Sequence, residues 1–456
     1  MRAAVRRWSG ATADAWRTQL WPVPTLAVAV AIVLGVGLPR LDAHIDDELP
    51  AGVTAYLFSG GPEAARTVLS VLAGSLVTVT SLTFSLTVLT LQLASSQFSP
   101  RLLRTFTRDR LVHVSLGLLL GTFTYAVTVL RTVRASLSDQ QAFLPQVAVT
   151  VAYVLALVSV LTLVVFLAHL SRQIRVEWML REVHADTAVT MRRLLSDAPG
   201  AGVTAPRAPP VPAEAVPLCA TASGFFTSID ESMLLATTIN AEAVMYVDRL
   251  PGDSLIAGTP IAQAWPLRAA GPLNAADRDR LQKCVAATLD VGFERTAAQD
   301  IAFGLRQIVD VTVKALSPGV NDPTTAVHGL GHISALLCAA AGKDLGPRLL
   351  RDRAGEVRVV LRRPSFAELL ELAVAQPGRY AAADPDVFSR LVMMLREVAW
   401  VAVAPEQHLE IVGQVERLTV TIDRQGFGEV EHRRLHDQLK DVRRALIGRW
   451  PPTPSS

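Results

Sequence analysis

Three sets of residues in this chain have the types and spacing to do chemistry. His328 with His332, and His432 with His436, stand four residues apart, which places two imidazoles on one helix face as some zinc sites require. Neither pair carries the glutamate of an HExxH motif, and glycines and arginines fill the positions between. Both pairs are read as ordinary helix surface, and no metal is expected. The second set is Asp300, Gln307 and Lys314, a narrow stripe with Asp310 close by on an otherwise apolar helix. Such a stripe must face water or meet partners across an interface. Asp310 and Lys314, at i,i+4, would by themselves make a surface ion pair, so a solvated face and a specific site both stay open. The third set is a double row of hydroxyls on one apolar helix. Thr78, Ser81, Ser85, Gln92 and Ser96 form one stripe, and Thr80, Thr83, Thr87 and Thr90 form another on roughly the opposite side. A hydroxyl row can line a water-filled or ion-conducting path, and it is also ordinary glue between membrane helices. No nucleophile elbow, Gly-rich phosphate loop or paired-carboxylate motif occurs, so no enzyme activity, catalytic residue or cofactor is assigned.

The elements that must position these residues begin with a membrane module. A spanning helix needs about 20 apolar residues to cross roughly 30 Å of hydrocarbon. Four stretches qualify: Trp21 to Leu38, Val68 to Leu93, Leu111 to Leu130 and Pro145 to Ala168, none with a charged residue inside. Flanking arginines orient them. Arg2, Arg6, Arg7 and Arg17 precede the first span, Arg101, Arg104, Arg108 and Arg110 separate the second from the third, and Arg172, Arg175 and Arg181 follow the fourth. The loop after the first span is acidic instead (Asp42, Asp46, Asp47, Glu48), and that after the third has only Arg131 and Arg134, so both termini are expected in the cytoplasm. The N-terminus lacks the pattern of a cleavable signal peptide, and the first span is expected to stay as an anchor. Gly117 and Gly121 give the third span a Gly-x-x-x-Gly face for close packing within the bundle or between subunits. The absence of an acid or lysine inside a span counts against a proton-coupled pump, and His169 falls at the cytoplasmic end of the fourth. The double stripe places the second span at the centre of the bundle.

Beyond the fourth span an amphipathic helix is expected to continue to about Leu195, followed by the breaker-rich linker DAPGAGVTAPRAPPVPAEAVP. Residues 217–270 suit short strands, with turns at Pro251-Gly252-Asp253 and Gly258-Thr259-Pro260 bracketing one of them. The hairpin is similar to those of biotinyl- or lipoyl-type barrels but has no attachment lysine, so a small structural β-barrel is expected. Asp277 to Ala315 reads as helix, ended by Ser317-Pro318-Gly319; Asn321 or Asp322 can cap the next helix, with Pro323 in its first turn. Four further helices are expected, at about 366–375, 385–403, 406–423 and 429–450, the last with a seam of Leu435, Leu439, Val442 and Leu446 that could join subunits or cover the core. The three cysteines, Cys219, Cys284 and Cys338, are scattered and suit reduced core thiols. Formal net charge is only +3 and the arginines are dispersed, which argues against nucleic acid as a partner.

Two runs carry a family resemblance. FSLTVLTLQLASSQFSPRLLRTF followed by GTFTYAV, and RTAAQDIAFGLRQIVDVTVKALSPGVNDPTTA, resemble the two hallmarks of the bacterial predicted-membrane-protein family catalogued as domain of unknown function 2254, in the family's order. The likeness covers nearly the whole of the 456 residues and implies a topology without an established activity. It marks Arg295, Asp300, Arg306, Gln307, Asp310, Lys314, Ser317, Pro318, Gly319, Asn321, Asp322 and Pro323 as the motif of the soluble half. The expected fold is an α-helical membrane bundle of four transmembrane helices (1–196, with a helical extension), a linker (197–216), a β-barrel-like subdomain (217–270), a mainly helical cytoplasmic remainder (271–450) and a tail (451–456), in all an α+β cytoplasmic domain on a membrane anchor. The expected location is the bacterial inner membrane. The expected function is a homo-oligomeric channel or pore-like protein with a cytoplasmic assembly or gating domain; the alternative is a membrane-anchored sensor or scaffold without transport. The lipid bilayer is the one partner either reading requires.

Overall fold

The computed structural model describes residues 21–45, 57–97, 109–134, 143–173, 175–198, 208–268, 273–381 and 384–450. Several sequence expectations fall outside them: the arginines at 2, 6, 7, 17, 101, 104 and 108, the acids at 46–48, the side chain of Ser96, linker residues 199–207 and the tail. The chain divides into two compact units between Arg175 and Val176.

The first unit is helical: α1 (Pro22–Ile45), α2 (Pro62–Gln97), α3 (Arg110–Leu130) and α4 (Gln146–Gln173). At 1.5 Å per residue the 36 residues of α2 extend for about 54 Å, well beyond the hydrocarbon thickness of a bilayer. The sequence places α2 at the centre of the bundle, but the structure gives that place to α3, on which α1, α2 and α4 all pack. The reason is the small residues of α3. A Cβ added at Gly117 would lie 3.4 Å from the Ala27 Cβ, and one at Gly121 would lie 3.4 Å from the Ala27 carbonyl oxygen, so the Gly-x-x-x-Gly face packs on α1 inside the bundle. On the other side of α3, Ser159 Oγ donates to Thr122 Oγ1 at 3.0 Å and Tyr125 Oη donates to the Ala148 carbonyl at 3.0 Å. Helix ends are tied by carboxylates. Asp42 accepts from the Val147 and Ala148 N–H groups at the start of α4, and Asp109 caps α3 while meeting His169 Nε2 at 2.5 Å. Leu26, Val33, Leu82, Phe84 and Leu161 all point outward and are more than half exposed, a surface that suits hydrocarbon rather than water.

The second unit starts with α5 (Val176–Leu194), which the sequence attaches to the membrane module. The preceding helix stops at Gln173, and α5 instead packs within the second unit. There follow β1 (Val216–Cys219), β2 (Gly224–Ile229), α6 (Glu231–Asn240), β3 (Ala243–Val247), β4 (Ser254–Leu255), β5 (Pro260–Pro266), α7 (Ala275–Thr288), β6 (Leu289–Gly292), α8 (Ile301–Ala315) and α9 (Pro323–Ala341). Then come β7 (Arg348–Arg351), β8 (Val357–Leu361), α10 (Phe366–Tyr380), α11 (Pro385–Val401), α12 (Pro405–Arg424) and α13 (Glu429–Leu446). The strands make no closed barrel. They form an open sheet in the order β1-β5-β3-β8-β7 and a smaller one in the order β4-β2-β6, and these replace the expected barrel. The local hairpins cannot close on themselves because β3 takes its second neighbour, β8, in parallel from far along the chain. Likewise the expected single helix over 277–315 is interrupted by β6, where Val291 and Gly292 leave helical geometry to pair with Phe226 and Phe225 of β2.

The two expected turns bracket β4, with Gly252 at φ +101° and Gly258 at φ +84°, a region that only glycine enters freely. Leu218, Phe226, Met245 and Val359 are in the core between the sheets and α6–α7. The seam of α13 turns inward: Leu435, Leu439 and Val442 are buried, packing on α11 and α12. Five helices are long and apolar enough to cross a membrane, one more than the sequence reading allows: α1, α2, α3, α4 and, in the second unit, α9.

Candidate functional site

The two hydroxyl stripes of α2 have opposite surroundings. Thr80, Thr83, Thr87 and Thr90 are buried, and each hydroxyl donates to the carbonyl four residues back, at 2.7, 2.8, 2.8 and 2.9 Å. These hydroxyls are spent within their own helix, and their compact side chains let α2 approach α3. Thr78, Ser81, Ser85 and Gln92 lie on the exposed side, in line with Thr67, Ser70 and Gly74. Thr78 donates to the Gly74 carbonyl at 3.2 Å, whereas Ser81, Ser85 and Gln92 have no side-chain hydrogen bond among the described residues. The row stands diametrically opposite the packed face, with Leu82, Phe84 and Leu89 flanking it.

The motif of the second unit is spread along one helix rather than gathered at a point. Arg295 donates from Nε (3.0 Å) and Nη2 (2.6 Å) to Asp300 Oδ2, and its guanidinium lies 5.6 Å from the centre of the Phe303 ring. The Asp300 side chain is 1% exposed, and its Oδ1 is buried without a partner. Burial pushes the Asp300 carboxyl above its ordinary value and Arg295 pulls it back. A Cβ at Gly252 would fall 2.1 Å from Asp300 Oδ2 and 2.6 Å from Arg295 Nη2, so the turn at 251–253 sits directly on this ion pair. Asp300 is therefore the N-cap residue of α8, not part of a stripe along it. Gln307 is buried and Asp310 and Lys314 are half-buried. Arg306 borders an open groove of about 490 Å³ beside Glu371 and Arg417.

At the far end, roughly 22 Å along the 15-residue helix, the motif makes a tight connection to α9. Asn321, at φ +48°, donates its N–H to the Ser317 carbonyl, and Asp322 donates its N–H to the Ala315 carbonyl. The Asp322 side chain then accepts from Thr325 N (3.0 Å) and Thr325 Oγ1 (2.6 Å), with Pro323 in the first turn. This hydrogen bonding holds the Asp322 carboxyl below its ordinary value. Of the two capping candidates Asp322 takes the role, and Asn321 supplies the left-handed residue. Glycines set the packing of the helix between: a Cβ at Gly304 would meet Thr187 Oγ1 of α5 at 1.8 Å, and one at Gly329 would meet Thr312 Oγ1 at 2.2 Å.

The histidine pairs diverge. His332 meets His184 of α5, ring centres 5.1 Å apart, and burial first, then His184 and His328, push it below its ordinary value. His436 and His432 share one carboxylate oxygen of Asp423, at 2.9 and 3.3 Å. These three are the one group of metal-capable side chains among the described residues with all ligand atoms within 4.8 Å. The sequence pattern could not show Asp423, which comes from the preceding helix. Their 30–53% exposure equally suits a surface ion pair. The cysteines are free, Cys284 buried and the other two half-buried.

Comparison with known proteins adds the family. Residues 17–397 match the model of a predicted membrane protein family, DUF2254. Uncharacterized proteins of Mycobacterium tuberculosis and Mycobacterium bovis are each 37% identical to this chain over 396 residues, covering 87% of it and 74% of their own length. No solved structure matches. Both hallmark runs lie inside the matched region and the Asp423 cluster lies beyond it, and the chain belongs to the DUF2254 family of predicted membrane proteins.

Proposed function

We propose that the protein is a homo-oligomer of the bacterial inner membrane in which the outward polar face of α2 meets its copies around a shared axis and lines a water-filled path. The observation that carries this reading is the row from Thr67 to Gln92 on the face of α2 turned away from its own bundle. An amide or hydroxyl facing hydrocarbon without a partner costs several kcal/mol. A facing copy or a column of water removes that cost, whereas an isolated anchor does not. In this reading α1 to α4 cross the membrane. Helix α9 does not, because Leu330, Ile333, Leu336 and Leu337 are already buried against neighbouring helices of the second unit. The arginine bias puts both termini and the second unit in the cytoplasm, where that unit serves assembly or gating.

The test is the oligomeric state of the full chain in lipid nanodiscs, with Ser85→Cys crosslinking between copies and current recorded in planar bilayers. Crosslinked rings and a conductance altered by Ser85→Leu are expected. A monomer that is electrically silent overturns the reading.

A further inference from the structure

The second unit holds a cavity of about 120 Å³ whose polar lining is dominated by arginine: Arg193, Arg249, Arg348, Arg362 and Arg363, against a single acid, Glu231. One water needs roughly 10–15 Å³ of such space, so the cavity takes about ten waters or one small organic molecule. Its floor is apolar, formed by Phe226, Val247, Ile301 and Leu361.

The placement is set by the fold. Val247 and Leu361 are the last residues of β3 and β8 and are paired in parallel register, so the cavity opens at the carboxyl ends of the parallel strands, where open α/β sheets hold ligands. Ile301 is the first residue of α8, and the buried Asp300 carboxylate before it is held by Arg295.

The charges do not cancel. Arg348 pairs with Glu231 at 2.7 Å and Arg362 with Glu368. Arg193 and Arg363 donate only to the carbonyls of Ala298 and Leu194, which neutralise nothing. Arg249 is half-buried and has no ion-pair or hydrogen-bond partner among the described residues. Burial and the like charge of Arg348 push Arg363 below its ordinary value, while Asp344 and Glu231 oppose this. The other polar lining group, Gln299, is committed: its amide accepts from Ile229 N at 2.9 Å and donates to the Ile229 carbonyl at 3.2 Å.

We propose that this cavity binds a phosphate-bearing small molecule, its phosphate held by Arg249, Arg193 and Arg363 at the start of α8 and its organic part resting on Phe226 and Leu361. Guanidinium forks match phosphate oxygens in pairs, and three of them suit a dianion better than a single carboxylate. Because Gln299 is occupied, nothing on the floor reads the edge of a base. Recognition is by charge and apolar contact, and ligands sharing the phosphate compete. The phosphate can come from a soluble ester or from a phospholipid headgroup, and the experiment separates the two.

Full-length protein in zwitterionic nanodiscs would be titrated calorimetrically with inorganic pyrophosphate, with AMP, and with a short-chain phosphatidylglycerol below its micellar concentration, using sulfate at matched ionic strength as control. At least one phosphate probe is expected to bind saturably and to raise the unfolding midpoint, with sulfate, a dianion without an organic part, binding more weakly than that probe. Arg249→Gln, which breaks no ion pair, is expected to weaken that binding about tenfold or more while leaving the ligand-free midpoint unchanged. Arg249→Lys should recover part of it, since it keeps the charge and loses the fork. AMP or pyrophosphate binding identifies a soluble ligand, and response to phosphatidylglycerol alone identifies a headgroup. If no probe binds saturably, or if binding is the same in Arg249→Gln and Arg193→Gln as in the parent, the proposal fails.

Discussion

At the scale of single residues, the most consequential contact in the second unit is the buried pair under the 251–253 turn. Asp300 is nearly inaccessible and depends on Arg295 for both hydrogen bonds to Oδ2. Arg295→Ala would leave a buried carboxylate uncompensated and is expected to cost about 3–5 kcal/mol in denaturant unfolding. Gly252→Ala drives a methyl into the same carboxylate at a positive φ, so a loss of at least about 2 kcal/mol is expected. A loss under half of that in both variants would show that the turn does not rest on the pair. His332 makes a different prediction. Its folded pKa is depressed below 6.5, so as pH falls through that value the unfolded chain takes up a proton that the native state refuses. Stability contributed by the neutral imidazole is present above the unfolded pKa and lost below it. Unfolding midpoints between roughly pH 7.5 and 5 should therefore fall with acid, and His332→Gln should flatten the slope. An unchanged slope would assign the acid sensitivity to groups other than His332.

At the scale of elements, α2 offers a paired test because its two hydroxyl rows have different duties. Thr83 is fully buried, so Thr83→Leu overpacks the contact with α3 and should destabilise the first unit by about 1–3 kcal/mol. Ser85 is on the outer row, so Ser85→Leu should leave protomer stability nearly unchanged and act on association or conductance instead. Equal thermal destabilisation by the two variants would contradict this division. The sequence shows both rows, but not which one packs, since two hydroxyl stripes on one wheel carry no sign of where the neighbours lie. Elements with strong local punctuation were legible. Ser365 makes a capping box with Glu368, Asp384 caps before Pro385, and α10 to α13 begin within a residue of expectation. The strands β7 and β8 were missed although VRVVL after Asp352–Gly355 is a visible hairpin signal. The barrel expectation failed for the same reason: the parallel partner of β3 lies about a hundred residues downstream, and no local pattern reports such a pairing. Nor does a four-residue histidine spacing report Asp423 on another helix, or a run of hydrophobic residues report five arginines converging from four segments.

At the scale of the whole molecule, the open quantity is how many helices the membrane claims. Length and composition admit α9 alongside α1 to α4. Packing separates them. The outward faces of α1 and α4 are aliphatic over most of their length, and Val71, Leu82, Phe84 and Leu89 flank the polar row of α2, a surface that water would penalise at about 25 cal/mol for each Å² of apolar area exposed. In α9 the apolar positions are instead consumed inside the second unit: Gly329 closes on Thr312, Ser334 donates to Glu397, and Gln407 of α12 donates to the Ala341 carbonyl at its end. A carboxylate and an amide anchored to a helix in this way are poor companions for hydrocarbon. Residues 176–450 expressed without the first unit are therefore expected to be soluble without detergent. They should unfold in one cooperative transition and show mixed helix and strand by circular dichroism. Detergent dependence of this fragment would make α9 a fifth span, which would place the segments on either side of it on opposite faces of the membrane. The same question can be asked of the intact chain. If the N-terminus is cytoplasmic, as proposed, four spans let a fluorescent protein fused after residue 450 fold in the cytoplasm and keep a periplasmic phosphatase fused there inactive; with five, the two reporters exchange their outcomes.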